Sequence, residues 1–222
     1  MLSLPFAQGA QIEVTEGWIY SDDEQKIHGK QLHGAVDIAA NRGTPVYAAT
    51  DGIAFSSYQY ETSGEWKGKI VGLGYGRFVQ LWDPETDTFT LYSHFENTAG
   101  NITYITPEKD GKKWNTPLTQ LRDKQQLSKG TTIQKGDLLG YVGDSGLSWG
   151  YDETPDSRPD PRTYPSWDEP HLHFEVFHYD VNGKSLLDPY NLKSTGDKYD
   201  VDMLNPGALW LNDNQNAVKY AR

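Results

Sequence analysis

Short runs of alternating apolar and polar residues, separated by turn residues, dominate the chain. A period of two is typical of strands, whereas an amphipathic helix needs a period of about 3.6. Asn182-Gly183 is a strong tight-turn signal because both residues tolerate positive φ. The pattern predicts strands over residues 11–18, 36–39, 45–48, 53–60, 77–82, 89–95, 138–142 and 171–178.

Helical spacing is weak, and we expect at most one or two short helices, one of them within residues 116–127. Two long polar segments, residues 97–129 and 151–169, interrupt the strands. Loops of this length in a compact domain are usually functional or disordered. The first follows one histidine and the second precedes two more, so we interpret them as long surface loops that wall a cleft. Inert insertions are the alternative.

The composition, 36% hydrophobic and 23% charged, is that of a globular protein, and 222 residues suit a single domain. The net charge of −11 disfavours binding to nucleic acid and gives no attraction toward an anionic wall polymer. Cysteine is absent, so any metal must be bound through nitrogen and oxygen. No apolar stretch is long enough for a transmembrane segment, and no signal peptide is visible.

The late segment His171-Leu172-His173-Phe174-Glu175-Val176 alternates cleanly. In a strand, its apolar residues face one way, and His171, His173 and Glu175 face the other. Two imidazoles on one strand face, two positions apart, are uncommon by chance and indicate a shared function. Two ordinary surface histidines are the alternative. For Glu175, a supporting contact or a salt bridge is a better interpretation than direct ligation.

An earlier segment, His33-Gly34-Ala35-Val36-Asp37, pairs a histidine with a carboxylate. If its backbone is extended, His33, Ala35 and Asp37 share one face and Val36 faces the core. The small alanine between them leaves space for an ion. Taken alone, a hydrogen-bonded His–Asp pair is the simpler interpretation.

A third histidine lies in the segment Thr90–Phe95. Regular alternation places Tyr92 and His94 on one face and Leu91 and Ser93 on the other. A single histidine on a polar strand face usually has no function, so His94 gains weight only in combination with the other two segments.

Together the three segments contain the donors of a catalytic zinc site. Such a site has three protein ligands and an open position for a water, whose pKa zinc lowers toward about 7. Two histidines and one carboxylate satisfy that count. Two further histidines remain to act on the water and on a developing oxyanion. No His-Glu-x-x-His motif occurs, which excludes a thermolysin-type arrangement.

His-x-x-x-Asp, Tyr-Ser-His and His-Leu-His-Phe-Glu, in this order, resemble the motifs of the lysostaphin/LytM-type zinc metallopeptidases. Residues 43–52 and 136–143 are also similar to that family, and the similar stretches cover about residues 29–95 and 130–192. The resemblance implies one mainly β domain over residues 1–222. It would be an antiparallel β-sheet domain with a groove across the sheet and the insertions at about 97–129 and 151–169.

The resemblance also implies roles for individual residues. His33, Asp37 and His173 would bind one zinc ion (Zn2+) per chain. His94 and His171 would be the catalytic pair that orients or deprotonates the water and stabilises the tetrahedral intermediate. Candidates for contact with substrate, or for support of the ligands, are Tyr92, Glu175 and His28, although His28 is more simply a surface residue. His178 is expected to lie off the ligand-bearing face.

The implied activity is a metalloendopeptidase that hydrolyses peptides of bacterial peptidoglycan, at a stem peptide or a cross-bridge. Such a substrate implies an extracellular or periplasmic protein of the cell envelope. The two insertions depart from the family's compact pattern and leave the substrate open. A non-catalytic activator or scaffold of other wall hydrolases, and a zinc protease acting on proteins, are the alternatives. The sequence does not indicate an oligomeric state.

Overall fold

The computed structural model describes residues 2–17, 32–66, 69–106, 108–110, 113–115, 124–146, 170–180, 183–187, 209–211 and 218–220. Their backbone forms fifteen strands and one short helix. The strands are β1 (Ile12–Glu16), β2 (Val36–Ala40), β3 (Pro45–Tyr47), β4 (Gly52–Trp66), β5 (Lys69–Asp83), β6 (Thr88–Thr98), β7 (Thr103–Tyr104), β8 (Glu108–Asp110), β9 (Lys113–Asn115), β10 (Thr131–Ile133), β11 (Leu138–Val142), β12 (His171–Asp180), β13 (Gly183–Leu187), β14 (Leu209–Leu211) and β15 (Val218–Tyr220), and the helix is α1 (Lys124–Leu127). The mainly β fold predicted from the alternation is confirmed. No helix in the described ranges is long and apolar enough to cross a membrane.

Eleven strands form one sheet, whose main path is β1-β2-β12-β6-β5-β4-β10. Strands β3, β7, β11 and β13 pair with members of this path or with each other. Every pairing in the sheet is antiparallel except that of β4 with β7. β12 lies between β2 and β6. Segments far apart in the chain, each carrying predicted site residues, are therefore neighbours in the sheet.

The two faces of the sheet bury different hydrophobic clusters. One cluster includes Leu81 of β5, Tyr92 of β6 and Phe174 of β12. We call the side of the sheet that carries this cluster the core face. Phe78 and Phe177, on the opposite face, belong to a second cluster. We call this side the histidine face. Truncating a buried phenylalanine typically costs about 3–5 kcal/mol, so both clusters make the central strands a rigid support.

Several strands extend beyond the predicted limits. Predictions over residues 53–60 and 77–82 correspond to β4 and β5, which run on as one long hairpin to the pair Trp66↔Lys69. The glycines near the end of this hairpin obscure the alternation in the sequence. Backbone pairing nevertheless continues there, with register shifts. The strand predicted over residues 138–142 coincides with β11.

Residues 97–129, predicted as a long loop, contain short regular elements. β6 continues to Thr98, β7 pairs in parallel with β4, and β8 pairs with β9 as a hairpin. Strands of two or three residues are too short to leave a period-two signature, which is why the prediction was wrong here. Of the helix expected within residues 116–127, α1 occupies Lys124–Leu127, and its first part lies outside the described residues. Residues 151–169 also lie outside them.

Candidate metal centre

β12 presents its polar residues on the histidine face of the sheet. Leu172, Phe174 and Val176 are almost fully buried on the core face, as the alternation predicts. The neighbouring strands bring further polar side chains alongside, because His173 pairs with Asp37 of β2 on one side and with Ser93 of β6 on the other. Residues paired across antiparallel strands share a face, so Asp37 lies beside His173. His178, which has the opposite parity, lies off this face.

His33 reaches the site by a bend and not along a strand. β2 begins only at Val36, and Gly34 has a φ of +80°. Ala35 is completely buried. The prediction of an extended backbone from His33 to Asp37 is therefore wrong, because the chain is bent at the left-handed Gly34. The bend still leaves His33 Nε2 at 3.4 Å from Asp37 Oδ2.

A β-bulge turns His94 toward the site. Between the pairs Arg77↔Phe95 and Val79↔Tyr92, β6 contains one residue more than β5, and His94 has a φ of +64°. Regular alternation would place adjacent residues 93 and 94 on opposite faces. The bulge instead aims the His94 ring at the site, 5.7 Å from the His173 ring. Bulges commonly redirect side chains beside functional sites.

Tyr92 is not on the face of His94, contrary to the prediction. It pairs with Phe174, its ring lies 5.0 Å from the Phe174 ring, and the residue is fully buried on the core face. Its hydroxyl oxygen accepts a 2.9 Å hydrogen bond from the backbone N–H of Ala49, and burial raises the pKa of Tyr92 to about 12. The prediction continued the alternation through residues 92–94 without a bulge, and for this reason it placed Tyr92 on the wrong face.

One His/Asp/His group could hold a metal ion: His33, Asp37 and His173 each offer a ligand atom, and these atoms lie within 4.8 Å of one another. It is the only such group of His, Asp or Glu residues found in the described part of the chain. His173 Nδ1 is 2.8 Å from Asp37 Oδ1, while the other Asp37 oxygen faces His33. Two imidazoles and one carboxylate form a donor set that suits zinc.

The second nitrogen of each imidazole faces an acceptor. His33 Nδ1 donates to the carbonyl oxygen of Gly17 at 2.8 Å, directly after β1. His173 Nε2 donates to Glu175 Oε1 at 3.2 Å. With these contacts satisfied, the nitrogens that would bind a metal ion are His33 Nε2 and His173 Nδ1, the atoms turned toward Asp37. Acceptors behind imidazole ligands are a common feature of metal sites.

The charges of this group are tightly coupled. Burial opposes a charge on Asp37, yet the nearby His33, His173 and His171 hold its pKa well below the usual range. Burial also opposes a charge on His173, but Asp37 and Glu175 together raise its pKa to about 9. For His33, burial outweighs the attraction of Asp37 and lowers the pKa. Without a metal, His173 therefore carries the proton that a metal ion would displace.

His94 and His171 form a second pair beside the first three residues, with ring centroids 4.8 Å apart. His94 Nδ1 donates to the carbonyl oxygen of Ser145 at 2.8 Å, which leaves Nε2 as an acceptor. Burial, reinforced by the charges of His171 and His173, holds the pKa of His94 well below its usual value. His94 is thus neutral near pH 7 and can accept a proton. His171 Nε2 lies 3.9 Å from Asp37 Oδ2.

The turn of residues 143–146 supports this second pair. The Ser145 hydroxyl donates to the Phe95 carbonyl at 2.7 Å and accepts from the Arg77 N–H at 2.9 Å. Arg42 Nη1 donates to Asp144 at 2.9 Å and to Glu96 at 2.6 Å. Gly143 forms an isolated bridge with His171. The same turn therefore contacts both histidines.

Glu175 has two further partners that the sequence did not indicate. Tyr75 donates its hydroxyl to Glu175 Oε1 at 2.7 Å, and Lys184 forms an ion pair with Oε2. Burial opposes the charge of Glu175, yet His173 and Lys184 lower its pKa to about 2. The supporting role expected for Glu175 has a geometric basis here. His28 lies outside the described residues.

No protein-family model matches the chain, and neither does any curated protein. Similar solved structures include a protein from Ruminococcus gnavus described as a glycyl-glycine endopeptidase, LytM (21% identity, 85% of this chain, TM-score 0.45). A second is the catalytic domain of lysostaphin from Staphylococcus simulans (16% identity over 87% of this chain, TM-score 0.40). A third is a zinc-containing peptidase from Vibrio cholerae (16% identity over 83% of this chain, TM-score 0.39). The alignments span 57%, 100% and 38% of those chains, respectively. This likeness concerns the fold and says nothing about activity.

Proposed function

We propose that this chain is a zinc-dependent endopeptidase that hydrolyses peptide bonds of bacterial peptidoglycan, with His33, Asp37 and His173 as the ligands of one zinc ion. The observation that carries the proposal is the pair of acceptors behind the ligand histidines. The Gly17 carbonyl and the Glu175 carboxylate orient the two rings so that His33 Nε2 and His173 Nδ1, the nitrogens that would bind the ion, are turned toward Asp37. A hydrogen-bonded surface cluster would need neither acceptor.

Zinc bound by these three residues would supply a Lewis acid and a source of nucleophilic water at neutral pH. The protein's own contribution is the second histidine pair. His94 is neutral, its Nδ1 is occupied by Ser145, and its Nε2 is free to take a proton from an attacking water. His171, with its ring next to that of His94, is suited to donate a hydrogen bond to the oxyanion that develops on the scissile carbonyl.

Peptidoglycan peptides are proposed as the substrate because of the three motifs and their order. The net charge of −11 gives no long-range attraction to an anionic wall, so substrate selection would depend on contacts in the cleft. Action on such a substrate would take place outside the cytoplasm, in the cell envelope.

The decisive experiment pairs the zinc content of the purified protein with the release of new amines from isolated peptidoglycan sacculi. We expect one zinc per chain and fragments whose mass spectra identify the bond. Pentaglycine, muropeptides and an unfolded protein, tested side by side, separate a wall endopeptidase from a protease acting on proteins. A protein that takes up no zinc, even when zinc is added back, would overturn the proposal.

Zinc binding without release from any of these substrates would favour a non-catalytic activator or scaffold of other wall hydrolases. In that case, adding the chain to a second wall hydrolase should increase the activity of that enzyme. The His94→Ala variant is the matched control. It should bind zinc as the wild type does and, if the chain only activates a partner, it should activate equally well.

A further inference from the structure

We propose that Tyr75 and Lys184 are positioning residues of the metal centre, which hold the Glu175 carboxylate so that His173 presents Nδ1 to the metal ion. The inference rests on the proposed function, because it assumes that His173 is a zinc ligand. Both residues bind the Glu175 carboxylate, which lies behind His173. Both would act through Glu175 and, beyond it, through His173.

The Glu175 carboxylate is fixed at both of its oxygens. Oε1 accepts from the Tyr75 hydroxyl at 2.7 Å and from His173 Nε2 at 3.2 Å, and Oε2 pairs with Lys184 Nζ. Lys184 Nζ also lies 3.4 Å from the Tyr75 hydroxyl. A rotation of the carboxylate away from His173 would therefore break contacts to both Tyr75 and Lys184. Glu175 is only 6% exposed, so water cannot readily replace those partners.

Tyr75 lies on the histidine face because of a second bulge. β5 contains an extra residue between the pairs Gln59↔Gly76 and Glu61↔Leu73, and Gly76 has a φ of +59°. Regular alternation would place positions 75 and 78, three apart, on opposite faces. The Tyr75 ring instead lies 6.1 Å from the Phe78 ring and 5.8 Å from the His173 ring.

Lys184 reaches the same place from the neighbouring strand. β13 pairs Lys184 with Tyr179, which has the same parity along β12 as Glu175 and Phe177. Its Nζ lies over the Phe177 ring, 4.2 Å from the centroid, and the side chain is about a quarter exposed (23%). The stem packs on an aromatic surface while the ammonium group meets the carboxylate, which restricts Lys184 to one direction.

Orientation of a ligand imidazole by an acceptor behind it typically changes metal affinity by about 10- to 100-fold. A supporting carboxylate acts this way only while it points at the imidazole nitrogen. Tyr75 shares the oxygen that accepts from His173, and Lys184 holds the other oxygen. Loss of either partner is expected to leave the ligands in place and to weaken the binding of zinc.

The test measures zinc affinity by competition with a chelator of known affinity, in wild type and in single variants. Glu175→Met, which keeps the length but not the carboxylate, should bind zinc about 10- to 100-fold more weakly, and Tyr75→Phe and Lys184→Met about 3- to 10-fold more weakly. Matched controls are Tyr141→Phe on β11 and Lys129→Met, which change exposed side chains outside the site. The controls should match the wild type.

A double variant separates positioning from general support of the fold. In the Glu175→Met background, Tyr75→Phe should have no further effect on zinc affinity, because there is no carboxylate left to orient. The d–d absorption of the cobalt-substituted protein should change in the Tyr75→Phe single variant. An equal loss of affinity in both backgrounds, or an unchanged affinity in Tyr75→Phe and Lys184→Met, would overturn the inference.

The same measurements distinguish the two proposals from each other. If the wild type binds zinc and the variants bind equally well, this inference fails and the proposed function stands. If the wild type binds no zinc, the proposed function fails and this inference fails with it. If Tyr75→Phe does not fold, as judged by its thermal unfolding midpoint in the presence of chelator, the Lys184→Met variant alone tests the inference.

Discussion

The two halves of the candidate site are built in different ways. In the proposed ligand half, His173 and Asp37 lie on regular strands, and a carboxylate stands behind His173. In the proposed catalytic pair, His94 lies in a bulge with positive φ, and a backbone carbonyl of the 143–146 turn holds its ring. Strand register thus positions two of the three residues that would bind an ion, and the bend at Gly34 brings in His33. An irregularity positions the residue that would move a proton.

The halves also differ in charge. Neighbouring carboxylates raise the pKa of His173 to about 9, whereas burial and like-charged neighbours keep the pKa of His94 well below its usual value. His94 has no carboxylate of its own among the hydrogen-bond partners in the described part of the chain. A base that must be unprotonated at neutral pH is served better by a neutral carbonyl than by a carboxylate, which would stabilise the protonated ring.

The largest expected effect comes from breaking the ligand half with His173→Ala. It removes one of three proposed ligands, so zinc should be lost on dialysis and peptidase activity should fall below detection. Metal analysis of the dialysed protein, together with amine release from sacculi, measures both. Zinc retained at one per chain in this variant would show that the ligand assignment is wrong.

The next effect comes from the catalytic pair. His94→Ala should keep zinc and lose about 10²- to 10⁴-fold in turnover, the usual contribution of general acid–base catalysis. The comparison with His173→Ala matters more than either value alone. If both variants lose zinc to the same extent, the division of the site into two halves is incorrect.

A smaller effect should follow from disturbing the turn that holds His94. At Gly76 the φ is +59° and an added Cβ would collide with the backbone of Ser145. We expect Gly76→Ala to cost about 1–3 kcal/mol of stability and to slow turnover by about 10- to 100-fold, with a smaller loss of zinc affinity because the same bulge places Tyr75. Gly100→Ala is the matched control, since nothing lies within 4 Å of its added Cβ. Thermal melts and turnover rates of the two variants test this prediction.

The difference between the halves also explains what the sequence could predict. β12 alternates without interruption, so the shared face of His171, His173 and Glu175 was predictable, and the structure confirms that face. The bulge at His94 changes the parity of β6, so Tyr92, which precedes the bulge, does not share the face of His94. No local pattern in the sequence marks that insertion.

Contacts made by the backbone or by distant strands were beyond sequence reasoning. The Gly17 carbonyl behind His33 carries no side-chain signal, and it becomes relevant only because β1 ends beside β2. Tyr75 and Lys184 are 100 and 9 residues away from Glu175. Their meeting depends on the pairing of β12 with β13 and on the bulge of β5. The one visible hint was Gly76, which follows Tyr75 and permits the positive φ.

The smallest expected effect that sharpens the comparison concerns the number of protons released when zinc binds. The pKa of metal-free His173 is about 9, above the ordinary value of 6.5, so this residue is protonated at pH 7. The pKa of His33 is lowered and that of Asp37 is well below its usual range, so both are already in the form that binds a metal. Zinc requires a neutral imidazole, so His173 should contribute about one released proton at pH 7, in addition to the proton of a zinc-bound water whose pKa is near 7. The His173 contribution should disappear as the pH rises through 9.

Calorimetry of zinc binding in buffers with different ionisation enthalpies gives this count directly. His94→Ala should leave it unchanged, because His94 is neutral at pH 7 and is not a proposed ligand. Glu175→Met should reduce it, since the Glu175 carboxylate is one of the groups that raise the pKa of His173. A change in the count caused by His94→Ala would mean that the two halves share a proton and are not electrostatically separate.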